Sequence, residues 1–212
     1  TNMRFTFAPS VRELLLDYGF GLVSIGNNHI QDFGKEGAHA TTRYLSGVGI
    51  EYVGDPTGES AEPVVQEVNG VRLAFVSYSD FVGGDAARAR AAIASDAARS
   101  ADAIVVLAHW GNEYETVPSE RVRELARTFA SAGADLIIGT HSHVIGKVED
   151  IGTTRVYYSL GNFVFDQYWE PSVRCGLAVA VTFTKEGDET EAQYTETKVG
   201  MRKDGATTLG CY

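Results

Sequence analysis

Three short apolar runs in this chain share one ending. Gly21–Ile25 leads to Asn27-Asn28-His29, Ala103–Leu107 leads to His109, and Ala134–Ile138 leads to His141-Ser142-His143. Apolar runs of about four to eight residues bounded by turn signals read as buried strands. Open α/β sheets take their ligands outside the carboxyl ends of such strands. The pattern therefore predicts an α/β fold in which three strand ends deliver side chains to one spot, with four of the chain's five histidines gathered there.

The segments between these runs alternate accordingly. Pro9-Ser10 starts a helix in which Val11, Leu14, Leu15 and Tyr18 recur at helical spacing, and Gly19 ends it. Gly34 to Leu45 forms a second helix and Ile50–Gly54 a short strand. Val64–Val68 and Val71–Tyr78 flank Asn69-Gly70, the strongest short hairpin signal, so an antiparallel pair joins the parallel elements and the sheet is mixed. Asp85 to Ser100, rich in Ala and Arg, reads as one helix and Ser119 to Ala132 as another, with a strand at Asp135–Gly139. Val144–Ile151 and Arg155–Leu160 form a hairpin turning at Gly152-Thr153-Thr154. Leu177–Thr184 and Ala192–Val199 alternate like late antiparallel strands. No repeat, linker or low-complexity tract divides the chain, and 212 residues with 44% apolar content suffice for one domain over 1–212.

Charge and composition exclude several functions. A formal net charge of −10 argues against nucleic acid as a partner, because affinity for phosphate backbones comes largely from Lys and Arg. No apolar stretch approaches the roughly 18 residues of a membrane span, and Thr1 to Phe7 lack a signal-peptide pattern. The chain begins without Met and runs at once into Phe5-Thr6-Phe7-Ala8-Pro9, so the expectation is that an upstream region, including any secretion signal, has been removed. Cys175 and Cys211 are too few for a framework; two free thiols are the plain reading, and sequence alone cannot establish a pairing. Neither cysteine stands in a CxxC motif or beside a histidine. No Gly-x-Ser-x-Gly elbow, Walker loop or strand-linked Gly-x-Gly-x-x-Gly is found, which disfavours serine, cysteine and nucleotide chemistry.

The strand-end segments carry the chemistry. Gly26-Asn27-Asn28-His29 lies at a strand-to-helix junction where a ligand can approach backbone closely; the competing reading is that the asparagines serve a turn or helix cap. A His, a Trp and a Glu in the loop His109-Trp110-Gly111-Asn112-Glu113-Tyr114 are hard to explain by packing alone, although Glu113 also reads as a solvated carboxylate and Trp110 as a wall of the cleft. In Gly139-Thr140-His141-Ser142-His143, residues two apart in an extended segment point to the same side, so both imidazoles can face one ion. Buried polar groups without partners are costly, which favours metal ligation there over two exposed loop histidines. Imidazole suits zinc, iron, copper or nickel, and the Asn28 amide oxygen adds a harder ligand. Tyr157 to Asp166 reads as a strand entering a Gly-Asn turn, with core aromatics and with Ser159 and Asn162 on a polar rim that touches ligand. His39, within a helix pattern, is a surface or capping residue.

Taken together, Asn27-Asn28-His29 with Asp32 and Gly34, then His109-Trp110-Gly111-Asn112-Glu113-Tyr114, then Gly133-Ala134-Asp135 through Gly139-Thr140-His141-Ser142-His143, and finally Tyr158-Ser159-Leu160-Gly161-Asn162-Phe163 resemble, in order, the CapA family of poly-γ-glutamate capsule biosynthesis proteins. That family is a branch of the calcineurin-like metallophosphoesterase superfamily. The resemblance implies a four-layer α/β/β/α sandwich with mixed sheets and two divalent metal ions (Mn, Fe or Zn) at the strand ends. It implies Asn28, His109, His141 and His143 as metal ligands and His29 as the residue that stabilises charge or protonates a leaving group. Asn27, Glu113, Ser159 and Asn162 are then candidates for substrate contact. Family members open with a strand ending in Gly-Asp and a later Asn-x-Glu-like segment. These have no counterpart here and are expected upstream of Thr1, so the domain is expected to be N-terminally incomplete, with weak or single-site metal binding and little activity. The implied function is a metal-dependent hydrolase acting on an anionic polymer or phosphoester in capsule biosynthesis or processing, in an extracytoplasmic, membrane-associated setting. The alternative is a non-catalytic polymer-binding component working with other capsule synthesis proteins.

Overall fold

In the computed structural model, which describes residues 3–211, a short helix α1 (Val11–Asp17) leads into strand β1 (Leu22–Ser24), helix α2 (Gly34–Ser46) and strand β2 (Glu51–Val53). β1 and β2 pair in parallel, and α2 covers them through Ile25, Leu45 and Ile50. A two-residue turn at Asn69 and Gly70, both at positive φ (53° and 83°), then joins β3 (Val64–Val68) to β4 (Val71–Ser79), as the hairpin signal predicts.

The chain continues through α3 (Ala86–Ile93), α4 (Asp96–Arg99), β5 (Ala103–His109), α5 (Glu120–Ala132), β6 (Leu136–Thr140), β7 (Val148–Ile151) and β8 (Thr154–Tyr157). These strands make a six-stranded mixed sheet in the order β3-β4-β5-β6-β8-β7, parallel in its centre and antiparallel at both edges. The central strands are apolar on both faces because both faces are covered. Along β5, Ile104, Val106 and Ala108 point to the helices, where Ile93, Ala98, Val122 and Phe129 complete the core. Val105 and Leu107 point the other way, toward Leu177, Val179, Val181 and Phe183. Those last residues belong to β9 (Cys175–Glu186), which pairs with β10 (Glu189–Met201) and, through it, with β11 (Thr207–Leu209) in a three-stranded antiparallel sheet. Helices, mixed sheet and antiparallel sheet stack in that order, giving an α/β sandwich as expected, but with three layers among the described residues where four were expected and with a second sheet that is purely antiparallel.

Three local features differ from the sequence reading. The segment from Asp85 to Ser100 is two helices, because Ser95 interrupts the first: its hydroxyl donates to Ala92 O and accepts from Ala98 N, capping a new helix. Val144–Lys147 stays outside β7, joined to the chain that follows β8 by a bridge between Ile145 and Leu160 and by the Gly146 N–H to Ser159 O and Tyr158 N–H to Lys147 O hydrogen bonds. Cys175 and Cys211 are not free thiols. The register that sets Gly200 opposite Cys175 and Met201 opposite Thr207 returns the chain so that the two Cα atoms lie 5.5 Å apart, and the cysteines are bonded as a disulfide.

β3 pairs only with the first half of β4, so Ser77 and Ser79 meet the β1–β2 unit instead. The approach is close: a side chain on Gly26 would run into Ser77 Oγ, and one on Gly54 would lie 3.0 Å from Gly26 N. This contact brings the Asn27–His29 turn against the carboxyl ends of the sheet. Among the described residues no helix is long and apolar enough to cross a membrane.

The disulfide closes a loop between residues separated by 36 positions, so breaking it frees the unfolded chain substantially. Cys211→Ser is expected to lower stability by about 2–4 kcal/mol in non-reducing urea denaturation, and reductant to shift the wild type by the same amount while leaving the variant unchanged.

Candidate functional site

Neighbouring strands set Ser79, His109 and Thr140 side by side at the ends of β4, β5 and β6. His109 is the hub. Its Nδ1 meets Thr140 Oγ1 at 2.8 Å and its Nε2 meets Asn28 Oδ1 at 3.0 Å, linking three separate strand ends. The His141 ring lies 4.8 Å from that of His109, and Phe81 covers both, at 4.4 Å from His141 and 5.7 Å from His109. His141 is 8% exposed, and its Nδ1 is buried with no hydrogen-bond partner. Asn28, His109 and His141 are thus brought together as the strand-end argument requires.

Burial, aided by the positive charges of His141, His143 and His29, lowers the pKa of His109 to about 3. Burial also lowers that of His141, against the opposing charge of Glu113. Both imidazoles are therefore neutral at physiological pH, the form in which histidine donates a lone pair to a metal.

His143 reaches the cluster by a different route from the one its spacing suggests. His141 and His143 have φ of 97° and 62°, so the segment turns instead of alternating, and the side-by-side argument for an extended strand does not hold. The two rings are 6.2 Å apart. His143 Nδ1 pairs with Asn162 Oδ1 at 2.8 Å, and its ring stacks on Phe165 at 4.9 Å. Asn162 also donates to Gln167 and to Val173 O, and Gln167 donates to the Tyr114 hydroxyl. Ser159 accepts from Gly161 N. Ser159 (3% exposed) and Asn162 (6%) are both buried; Asn162 spends its hydrogen bonds on the turn and on His143, while Ser159 lines a cleft together with Trp110 and Ser142.

On the opposite side, His29 Nδ1 pairs with Asp32 Oδ2 at 2.9 Å, and the Phe5 ring packs edge-on against the imidazole at 4.4 Å. Burial raises the Asp32 carboxyl, but the Phe5 N–H and His29 outweigh it and hold the group below its ordinary value. Asn27 Oδ1 accepts from His29 N at 2.8 Å, so Asn27 shapes the turn, as the structural alternative for this residue supposed. Glu113 is exposed.

Asp80 was not singled out by sequence. It follows an apolar strand as the histidines do, and that position was the signal that could have found it. Its carboxylate accepts from both terminal nitrogens of Arg121, from Gly111 N and from the Tyr78 hydroxyl, while its own N–H donates to His109 O. It thereby fixes the loop that follows His109. Burial raises its pKa, yet Arg121 and the other donors outweigh that, and the net shift is downward.

As a metal site the donors are of the right kind for one borderline ion: two neutral imidazoles and a carboxamide oxygen, with one buried nitrogen lacking any other partner. Among the described residues no three His, Cys, Asp or Glu side chains are gathered into a complete cage.

A carboxylate whose pKa is depressed in the folded state contributes stability above its unfolded pKa and loses it as pH falls through the folded value. Asp80→Asn is expected to cost about 1–3 kcal/mol near pH 7, with the gap from wild type closing below about pH 4 when thermal melts are compared across pH.

The family model described as "Bacterial capsule synthesis protein PGA_cap" matches residues 1–167. "PGA biosynthesis protein CapA" of Bacillus subtilis (strain 168) is 37% identical over 175 residues, covering 74% of this chain and 46% of that protein. "Capsule biosynthesis protein CapA" of Bacillus anthracis is 37% identical over 189 residues, covering 79% and 46%. The chain spans about half the length of these curated relatives. Among solved structures, a hypothetical protein from Thermus thermophilus superposes with a TM-score of 0.59 at 19% identity, covering 92% of this chain and 84% of its own, a likeness of fold alone. With the family model spanning residues 1–167, the chain belongs to the bacterial capsule synthesis protein PGA_cap family.

Proposed function

We propose that this chain acts in poly-γ-glutamate capsule synthesis or processing through a divalent-cation site at the ends of β1, β5 and β6, and that the site hydrolyses a bond in an anionic polymer or a phosphoester. The observation that carries this reading is the buried, unpartnered Nδ1 of His141 beside a His109 kept neutral by burial. The 3.0 Å separation of His109 Nε2 from Asn28 Oδ1 also supports it, since two neighbouring donors with bonds of about 2.1 Å to one ion lie about that far apart. Asn28, His109 and His141 hold the ion in this reading, with His143 beside them; a Mn, Fe or Zn ion there supplies Lewis acidity toward a carbonyl or phosphoryl oxygen. A second ion requires carboxylates beyond this set.

The remaining residues have separable tasks. Thr140 orients His109 through Nδ1, as outer partners of metal-bound histidines do. Asp32 accepts from His29 Nδ1–H and fixes the orientation of the ring, which leaves Nε2 as the atom that passes a proton to a leaving group. Phe81 packs against the two imidazoles from the outer side.

Calorimetric titration with Mn²⁺ and Zn²⁺ is expected to give one weak site that His141→Ala abolishes and Thr140→Val weakens about 10–100-fold. Turnover of γ-glutamyl polymer or phosphoester is expected only with metal, and His29→Ala is expected to lower it by about 10²–10⁴ without changing metal affinity. Absence of metal-dependent turnover on both substrate classes would sink the hydrolase.

The incomplete cage favours one second reading, a polymer-binding component that works beside other capsule synthesis proteins. Polymer binding that survives both chelation and His141→Ala is the outcome that selects it.

A further inference from the structure

A cavity of about 290 Å³ opens at the end of the antiparallel sheet where β9 begins and β10 ends, lined by Arg174, Gly200, Met201, Arg202, Lys203 and Thr208. Its charge is unlike that of the rest of the molecule. Three cations line it in a chain whose formal charge is −10. Arg202 is partly neutralised by an exposed ion pair with Asp204. Arg174 is not: its Nε is buried and, among the described residues, has no hydrogen-bond partner. A buried guanidinium nitrogen without an acceptor is costly, and guanidinium geometry matches the paired oxygens of a carboxylate or phosphate.

We infer that this cavity is a binding site for a small oxyanion, a carboxylate or phosphate group on a short stem, held by Arg174 with Lys203 and Arg202 at its side. The volume lies at the lower limit of small-molecule pockets, about 300 Å³, and so accommodates one acid group and a few more atoms. Gly200 lets the segment after β11 pack closely behind the site, because any side chain there would meet Gly210 O at 2.5 Å. The site is separate from the histidine cluster and stands whether or not a cation binds there. It is nonetheless connected to it. Met201 Sδ accepts from Phe165 N at 3.0 Å, and Phe165 stacks on His143. Val173, next to Arg174, accepts from the Asn162 side chain that also holds His143.

The test is a titration of the ¹⁵N-labelled protein with inorganic phosphate and, separately, glutarate, following the amides of Gly200 and Thr208. Saturable shifts at both amides are expected, weakened by added salt. Arg174→Gln and Lys203→Gln are each expected to reduce affinity about tenfold, the loss of one charge-assisted hydrogen bond. Lys203 is exposed on a turn, so its variant tests the site even if Arg174→Gln unfolds the protein. Saturation by glutarate alone identifies a carboxylate site, by phosphate alone a phosphoryl site, and by both a site for either oxyanion. No saturable shift with either anion, or affinities unchanged in Lys203→Gln and a folded Arg174→Gln, would overturn the inference.

Discussion

The register of three parallel strands governs this molecule. Because Ser79, His109 and Thr140 are paired across β4, β5 and β6, the polar ends of three apolar strands finish at one level. A slip of one residue would turn His109 away from Thr140 and send Ile104, Val106 and Ala108 from the helix side to the antiparallel sheet. The burial that fixes the register and the chemistry at the strand ends therefore have the same origin.

That origin also explains the electrostatics. Burial at the strand ends, to which Phe81 contributes, disfavours charge on the central imidazoles, while the Asp80 carboxylate is matched by Arg121 and the Asp32 carboxylate accepts from Phe5 N and His29. The site has a neutral centre with paired charges at its margin. In such an arrangement lone pairs, not formal charge, are what the centre offers a ligand.

Most of the fold was legible because its signals are local. The Asn69-Gly70 turn, the Ser119 cap on α5 and the all-apolar β5 each announce a structure that tertiary context has no reason to override. The convergence of Asn28, His109 and His141 was legible for a topological reason, since parallel strands feed one edge. The illegible parts depend on geometry that periodicity does not encode. The left-handed backbone at His141 and His143 defeats a two-residue repeat. Ser95 reads equally well as a helical residue and as a cap. Cys175 and Cys211 meet only because β10 pairs with strands on both sides, and Asp80 matters through partners at positions 78, 111 and 121.

The long β9–β10 ribbon has a consequence for the molecule's behaviour in solution. The two strands stay paired from Gly200 opposite Cys175 out to Glu189 opposite Glu186, well past the end of β11. The outer half of the ribbon thus has open flanks, which are templates for stacking against another chain. Its exposed side chains there include Glu186, Asp188, Glu189 and Glu191, so like-charged tips meet when two copies approach. Carboxylates so placed disfavour edge-to-edge pairing of two ribbons.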